Sequence, residues 1–125
     1  MAVEEKWFTV VNPVAGQGRA LEDLPTISRL LREYKIDCEM VFTERKHHAT
    51  QLAVEAVRAG YRRIIVVGGD GTLHDVVNGI FIQKAVPTTE IQVAVIAVGT
   101  GNDWIRMFGL PTRYAEAIRA IKEGY

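Results

Sequence analysis

An α/β fold is what this sequence predicts: a doubly wound, mostly parallel sheet with helices on both faces. Three observations carry the prediction. Ile64-Ile65-Val66-Val67 and the run from Ile91 to Val98 are apolar nearly throughout. Without polar alternation, such runs are strands buried on both faces, as in a parallel sheet. Helical periodicities separate the strands, giving the order β-loop-α-β-α-β-loop-α-β-loop-α, the pattern of a layered sandwich. Glycine-rich breaks follow three strand ends, at 12–18, 68–72 and 99–103. In open α/β sheets, ligands collect at the carboxyl ends of the strands, so three such loops could converge on one crevice.

The first strand is Trp7-Phe8-Thr9-Val10-Val11, and Asn12-Pro13-Val14-Ala15-Gly16-Gln17-Gly18-Arg19 breaks it. Pro13 bars a continuing central strand. This loop is not the G-x-x-x-x-G-K-[ST] of a P-loop, nor the G-x-G-x-x-G of a dinucleotide fingerprint. It can still cradle phosphate, with Arg19 as a charge partner; a plain surface turn is the equal alternative. Ile27, Leu30, Leu31 and Tyr34 then fall at i, i+3, i+4 and i+7, a helix with one buried face. Pro25 suits the first turn of that helix.

Cys38 to Thr43 is the second strand, and Thr43 ends it on the expected ligand side. Glu44 to His48 is polar. His47 and His48 are adjacent, diverge by about 100° on a helix, and make a poor metal pair, so a solvated helix start is expected. The second helix runs from about Ala49 to Ala59, with Leu52, Ala53, Ala56 and Val57 inward and Gly60 as its stop.

The third strand runs into Gly68-Gly69-Asp70-Gly71-Thr72-Leu73-His74-Asp75. The glycines permit positive φ and close approach of a ligand to the backbone. The helix that follows points its unpaired N–H groups and positive dipole end into the same space. An anion site for phosphate is the reading favoured over a capped turn. Thr72 and Asp75 have the T-x-x-D spacing of a capping box. Leu73, Val76, Val77, Ile80 and Phe81 form the buried stripe of the third helix, with His74 offset toward the loop. The fourth strand, Ile91 to Val98, ends in Gly99-Thr100-Gly101-Asn102-Asp103. A short helix at 103–107 and a last one through Tyr114, Ala117, Ile118 and Ile121 complete the chain.

The 125 residues make one domain at most. Fifteen Lys and Arg balance fifteen Asp and Glu, which gives no basic field for nucleic acid or an anionic membrane. Met1 to Lys6 lacks the apolar region of a signal peptide, and no apolar run reaches transmembrane length. The single cysteine, Cys38, fits a reducing, cytoplasmic setting and a core position rather than a nucleophile.

Taken together, the motifs resemble a known family. They are Asn12-Pro13-x-x-Gly16-x-Gly18, Thr43 with His48-Ala49, Gly68-Gly69-Asp70-Gly71-Thr72 with Val77-Asn78-Gly79, and Gly99-Thr100-Gly101-Asn102-Asp103-x-x-Arg106. The family is that of diacylglycerol kinase catalytic domains and related lipid kinases, sphingosine kinase included. The resemblance implies a Rossmann-like lobe spanning residues 1–125 that binds ATP with Mg²⁺ against a second, β-rich lobe. It implies transfer of the γ-phosphoryl to a lipid hydroxyl such as that of diacylglycerol, in phospholipid metabolism. Asn12, Pro13, Val14, Ala15, Gly16, Thr43, Gly68 to Asp75 and Thr100 would line the nucleotide. Asp70 would act at the phosphates, directly or through Mg²⁺, and no resident metal site is expected.

Two departures stand out. The family usually has Glu where this chain has Asp75. The chain also stops where the second lobe, with the family's general base and part of its metal site, is expected. The G-G-D-G-T element is shared with NAD kinases, so an NAD kinase-like enzyme is the first alternative. A non-catalytic nucleotide-binding or assembly module is the second, because a lone lobe would expose apolar surface where its partner belongs. A homo-oligomer and peripheral membrane contact stay open on this reading.

Overall fold

A computed structural model describes residues 5–98 and 114–124. Its strands are β1 (Trp7–Val11), β2 (Cys38–Phe42), β3 (Arg63–Gly68) and β4 (Gln92–Ala97). Its helices are α1 (Arg19–Glu33), α2 (His48–Arg58), α3 (Asp70–Ile82) and α4 (Tyr114–Glu123), with a 3₁₀ turn at Thr88–Glu90. The four-stranded sheet has the order β2-β1-β3-β4, and every pairing is parallel.

Alternation along the strands builds two cores. Phe8, Val10, Ile64, Val66, Val95 and Ala97 turn to one face, where α2 and α3 pack. Val11, Ile65, Val67, Ile96 and Val98 turn to the other, against α1 and α4. Both faces are covered at the centre of the sheet, so β3 carries no polar alternation. The chain steps from β1 outward to β2, then returns past β1 to β3 and on to β4. The winding therefore reverses between β1 and β3, which is where an open α/β sheet places its ligand crevice.

Backbone bonds carry the sheet past its strand ends. Thr43 N–H donates to the Val11 carbonyl (2.9 Å), Asn12 to Val67 (3.0 Å) and Val98 to Gly68 (2.9 Å). These bonds fix the first residues of the loops before any side chain acts.

Three local expectations change. Pro25 lies inside α1 rather than in its first turn. The left-handed run Gly16 (φ 64°), Gln17 (φ 61°) and Gly18 (φ 92°) releases the chain into helix earlier than the periodicity suggested. Pro25 deprives the Leu21 carbonyl of its i+4 donor, but both residues are exposed, so water can substitute. Phe81 is 65% exposed rather than buried. The inward face of α3 is Thr72, Leu73, Val76, Gly79 and Ile80. Gly79 lets α3 lean on α2, which rotates the position of Phe81 outward. His48 is buried rather than solvated, because its Nδ1 accepts the Glu44 N–H at 2.9 Å. The short helix expected at 103–107 lies outside the described residues. Gly60 stops α2 as expected, at φ 109°, and Cys38 is half-buried, with burial pushing its thiol pKa up, away from nucleophile chemistry.

Candidate nucleotide cleft

At the carboxyl edge of the sheet, β1, β2 and β3 release their loops around one open cleft of about 680 Å³. The β1 loop contributes Asn12, Pro13 and Val14; the start of α3 contributes Gly71, Thr72, His74 and Asp75; and Thr43 to Ala49 form the outer wall. A second hollow of about 630 Å³ opens at the opposite end of the strands, beside Trp7, Lys35, Arg63 and Lys122. The glycine-rich loops at 12–18 and 68–72 do not line it.

Asn12 spans the winding reversal. Its Oδ1 accepts the Val14 N–H at 3.2 Å, which shapes the turn after β1. Its Nδ2 donates to Thr72 Oγ1 at 3.2 Å, across sixty positions of sequence. Thr72 is therefore not the N-cap that its spacing suggested. The cap position is Gly69, with no side-chain cap bond, and α3 already begins at Asp70. Thr72 is buried, 6% exposed, one turn too late to cap and well placed to hold the β1 loop. The capping box with Asp75 does not form. Asp75 Oδ1 instead lies 3.0 Å from His47 Nδ1.

None of Gly68, Gly69 and Gly71 takes a positive φ. Gly69 is extended, at φ −120° and ψ −160°. A Cβ on Gly68 would come within 2.8 Å of Thr72 Oγ1 and 3.0 Å of its Cβ. Gly68 is thus needed for β3 to turn sharply into α3. A Cβ on Gly71 would meet nothing within 4 Å, so its absence leaves open space against the helix start. The Gly69 carbonyl accepts the Leu73 N–H at 3.1 Å. Helix geometry puts the positive end of the α3 dipole at this end of the cleft.

Of the residues expected at the ligand, Asn12, Pro13, Val14, Thr43, Gly71, Thr72, His74 and Asp75 share the cleft wall. Asp70 is half-buried at the first position of α3. Gly68 lies beneath Thr72, and Leu73 faces the α2–α3 core. Ala15 packs on the α1 side, and Gly16 serves the left-handed turn. Thr100 lies outside the described residues, as does the loop 99–103. Arg19 is exposed and does not line the cleft; its charge acts on the Tyr114 hydroxyl, which donates to Asp23. The wall from Glu44 to His47 was missed. The signal was present: Thr43 was already placed on the ligand side, and the polar residues directly after it must share that edge.

Replacing Thr72 by valine keeps the shape and removes the acceptor, leaving Asn12 Nδ2 unmatched. The expected loss is about 1 kcal/mol of stability, read by urea denaturation, with serine near wild type. Valine as stable as wild type would show that the Asn12–Thr72 bond holds nothing.

Among the described residues, no three His, Cys, Asp or Glu side chains stand together as a metal site, and no helix is long and apolar enough to cross a membrane. A Mg²⁺ ion commonly needs only one or two carboxylates when phosphates complete its shell. Asp70, at the helix start beside the open space at Gly71, fits that donor set.

Residues 6–125 match the diacylglycerol kinase catalytic domain. The chain is 33% identical over 116 residues to a diacylglycerol kinase of Staphylococcus carnosus, covering 93% of this chain and 37% of that protein. It is 31% identical over 116 residues to one of Mycobacterium tuberculosis, covering 93% and 36%. A solved diacylglycerol kinase structure from Bacillus anthracis strain Sterne superposes with a TM-score of 0.79 at 32% identity, covering 100% of this chain and 42% of that one. The chain thus spans little more than a third of the curated relatives it matches. On a match running from residue 6 to residue 125, this chain belongs to the diacylglycerol kinase catalytic domain family.

Proposed function

We propose that residues 1–125 are the nucleotide-binding lobe of a diacylglycerol kinase-like lipid kinase. The lobe binds ATP in the cleft between the β1 loop and the start of α3, and the complete enzyme transfers the γ-phosphoryl to a lipid hydroxyl, with diacylglycerol as the acceptor. The observation that carries the reading is the Asn12–Thr72 bond at 3.2 Å, which joins two phosphate-type loops where the sheet winding reverses.

Phosphoryl transfer depends mostly on positioning and on neutralising charge. The proposed roles follow from chemistry. First-turn N–H groups of α3 meet the phosphates, Gly71 lets them approach, and Asn12 holds the β1 loop against α3. Arg45 and Lys46 line the outer wall and offset phosphate charge. Asp70 would hold Mg²⁺, which shields the phosphate oxygens when bound. The resemblance puts the general base for the lipid hydroxyl in the second, β-rich lobe. A cytoplasmic setting with peripheral contact to a lipid surface belongs to the same proposal.

The test is calorimetric titration of the 125-residue chain with ATP and Mg²⁺, beside Gly71→Ala. Alanine at this position meets no neighbour and raises helix propensity, so stability should hold or rise by up to about 1 kcal/mol. The ATP dissociation constant should rise about tenfold, equivalent to about 1.4 kcal/mol, because the new methyl occupies the phosphate approach. No ATP binding by the wild type, or unchanged affinity in the alanine variant, counts against this site. Formation of phosphatidic acid from diacylglycerol by the complete enzyme tests the acceptor.

A further inference from the structure

His47 is held in place from three directions. It occupies the left-handed region at φ 62°, uncommon for a residue with a side chain and a pointer to local function when the surroundings enforce it. The surroundings do so here. His48 accepts the Glu44 N–H through Nδ1 at 2.9 Å, which closes the loop on one side. The His47 carbonyl accepts the Thr50 N–H at 3.2 Å, which starts α2 on the other. The ring itself reaches α3, with Nδ1 3.0 Å from Asp75 Oδ1.

The two partners differ in exposure. The Asp75 side chain is 18% exposed, the His47 side chain 68%. Asp75 is also anchored through its backbone, since Thr50 Oγ1 donates to its carbonyl at 2.8 Å. Both His47 and Asp75 line the cleft. The carboxylate sits low in the wall with one oxygen engaged by the ring, and the ring stands above it in the open. Nδ1 is committed to Asp75, so Nε2 is the ring nitrogen left to a ligand.

We infer that Asp75 serves the nucleotide indirectly, as a positioning residue that fixes His47, and that His47 is the side chain contacting the nucleotide from the outer wall. This rests on the cleft being the ATP site. It assigns Asp75 a different task from that of a metal ligand. A carboxylate that ligates Mg²⁺ offers its oxygens to the ion, and here Oδ1 is already taken up by the His47 ring. Asp70 then remains the carboxylate for Mg²⁺.

The experiment is a double-mutant cycle on ATP affinity, run with Mg²⁺ and again with EDTA. Its variants are Asp75→Asn, His47→Gly and both together. Glycine accepts the positive φ without strain, so the backbone is kept while the ring is lost. Thermal melts check that each variant is folded. Each single change should weaken ATP binding about three- to tenfold, to the same degree with and without Mg²⁺. The double variant should bind within about twofold of His47→Gly, because the two residues act as one unit. The three histidines, His47, His48 and His74, allow ring-nitrogen resonances to be assigned by substitution. The His47 Nε2 signal should move on adding ATP.

A loss in Asp75→Asn that disappears in EDTA would make Asp75 a metal ligand. Losses that multiply, or a His47→Gly variant that binds like wild type, would separate the two residues and overturn the inference, with the cleft still the ATP site. A wild type that binds no ATP overturns the nucleotide reading itself, and the inference falls with it.

Discussion

Replacing Gly79 by valine should destabilise the chain by about 3 kcal/mol or more, in the range of severe overpacking. A Cβ at this position would lie 2.5 Å from the Thr50 carbonyl oxygen and 2.9 Å from Ala53 Cβ. The first of these neighbours is helix backbone, which cannot rotate away. The second belongs to the buried face of α2. Relief requires α2 and α3 to separate, yet Thr50 Oγ1 ties α2 to the Asp75 carbonyl at 2.8 Å one turn earlier. Thermal melting should show a fall of about 10 °C or more, with alanine intermediate. An alanine variant melting within about 2 °C of wild type, well under the shift for 1 kcal/mol, would mean the helices slide apart at little cost. The close contact would then have no energetic weight.

The second large effect is on binding and should leave the fold intact. Asp70→Asn should reduce Mg-ATP affinity about ten- to a hundredfold, the worth of a contact between charged groups. Its effect on metal-free ATP should have the opposite sign. Asp70 is the acidic residue in the first turn of α3, so removing its charge removes repulsion toward the phosphates. The variant loses a favourable helix-dipole interaction of about 0.5 kcal/mol, small enough to keep the protein folded. Paired titrations with Mg²⁺ and with EDTA read both signs. Equal losses in the two conditions would show that Asp70 acts on the loop and not through a metal ion.

The fold was legible because burial on both sheet faces writes itself into composition. Ile64 to Val67 and Val95 to Val98 have no face on which a polar residue would be tolerated. The convergence of the β1 and β3 loops was legible too, since glycines and acids after buried strands have few other uses. What stayed hidden depended on partners distant in sequence. Thr72 has the spacing of a cap, and only the arrival of Asn12 from β1 shows that its hydroxyl has another task. Asp75 has the spacing of a capping acid, and only the left-handed turn at His47 brings the ring to it. Gly69 reads as a positive-φ glycine in a G-G-D-G run, yet the extended strand simply continues through it. Phe81 follows the helical period, but Gly79 tilts the packing and leaves it outside.

The bonds from Thr43 to Val11, Asn12 to Val67 and Val98 to Gly68 have a thermodynamic consequence. They make the floor of the cleft an extension of the sheet, set by the spacing of parallel strands and not by the side chains around it. A ligand arriving there has little backbone left to order. At Asn12 and Thr43, its entropy of association carries the loss of rigid-body freedom and of a few wall rotamers, without a term for ordering the backbone. The heat-capacity change of binding is then set by the water displaced from the walls. Sequence drift in the walls can alter which molecule is held and how tightly, while the platform beneath keeps its dimensions.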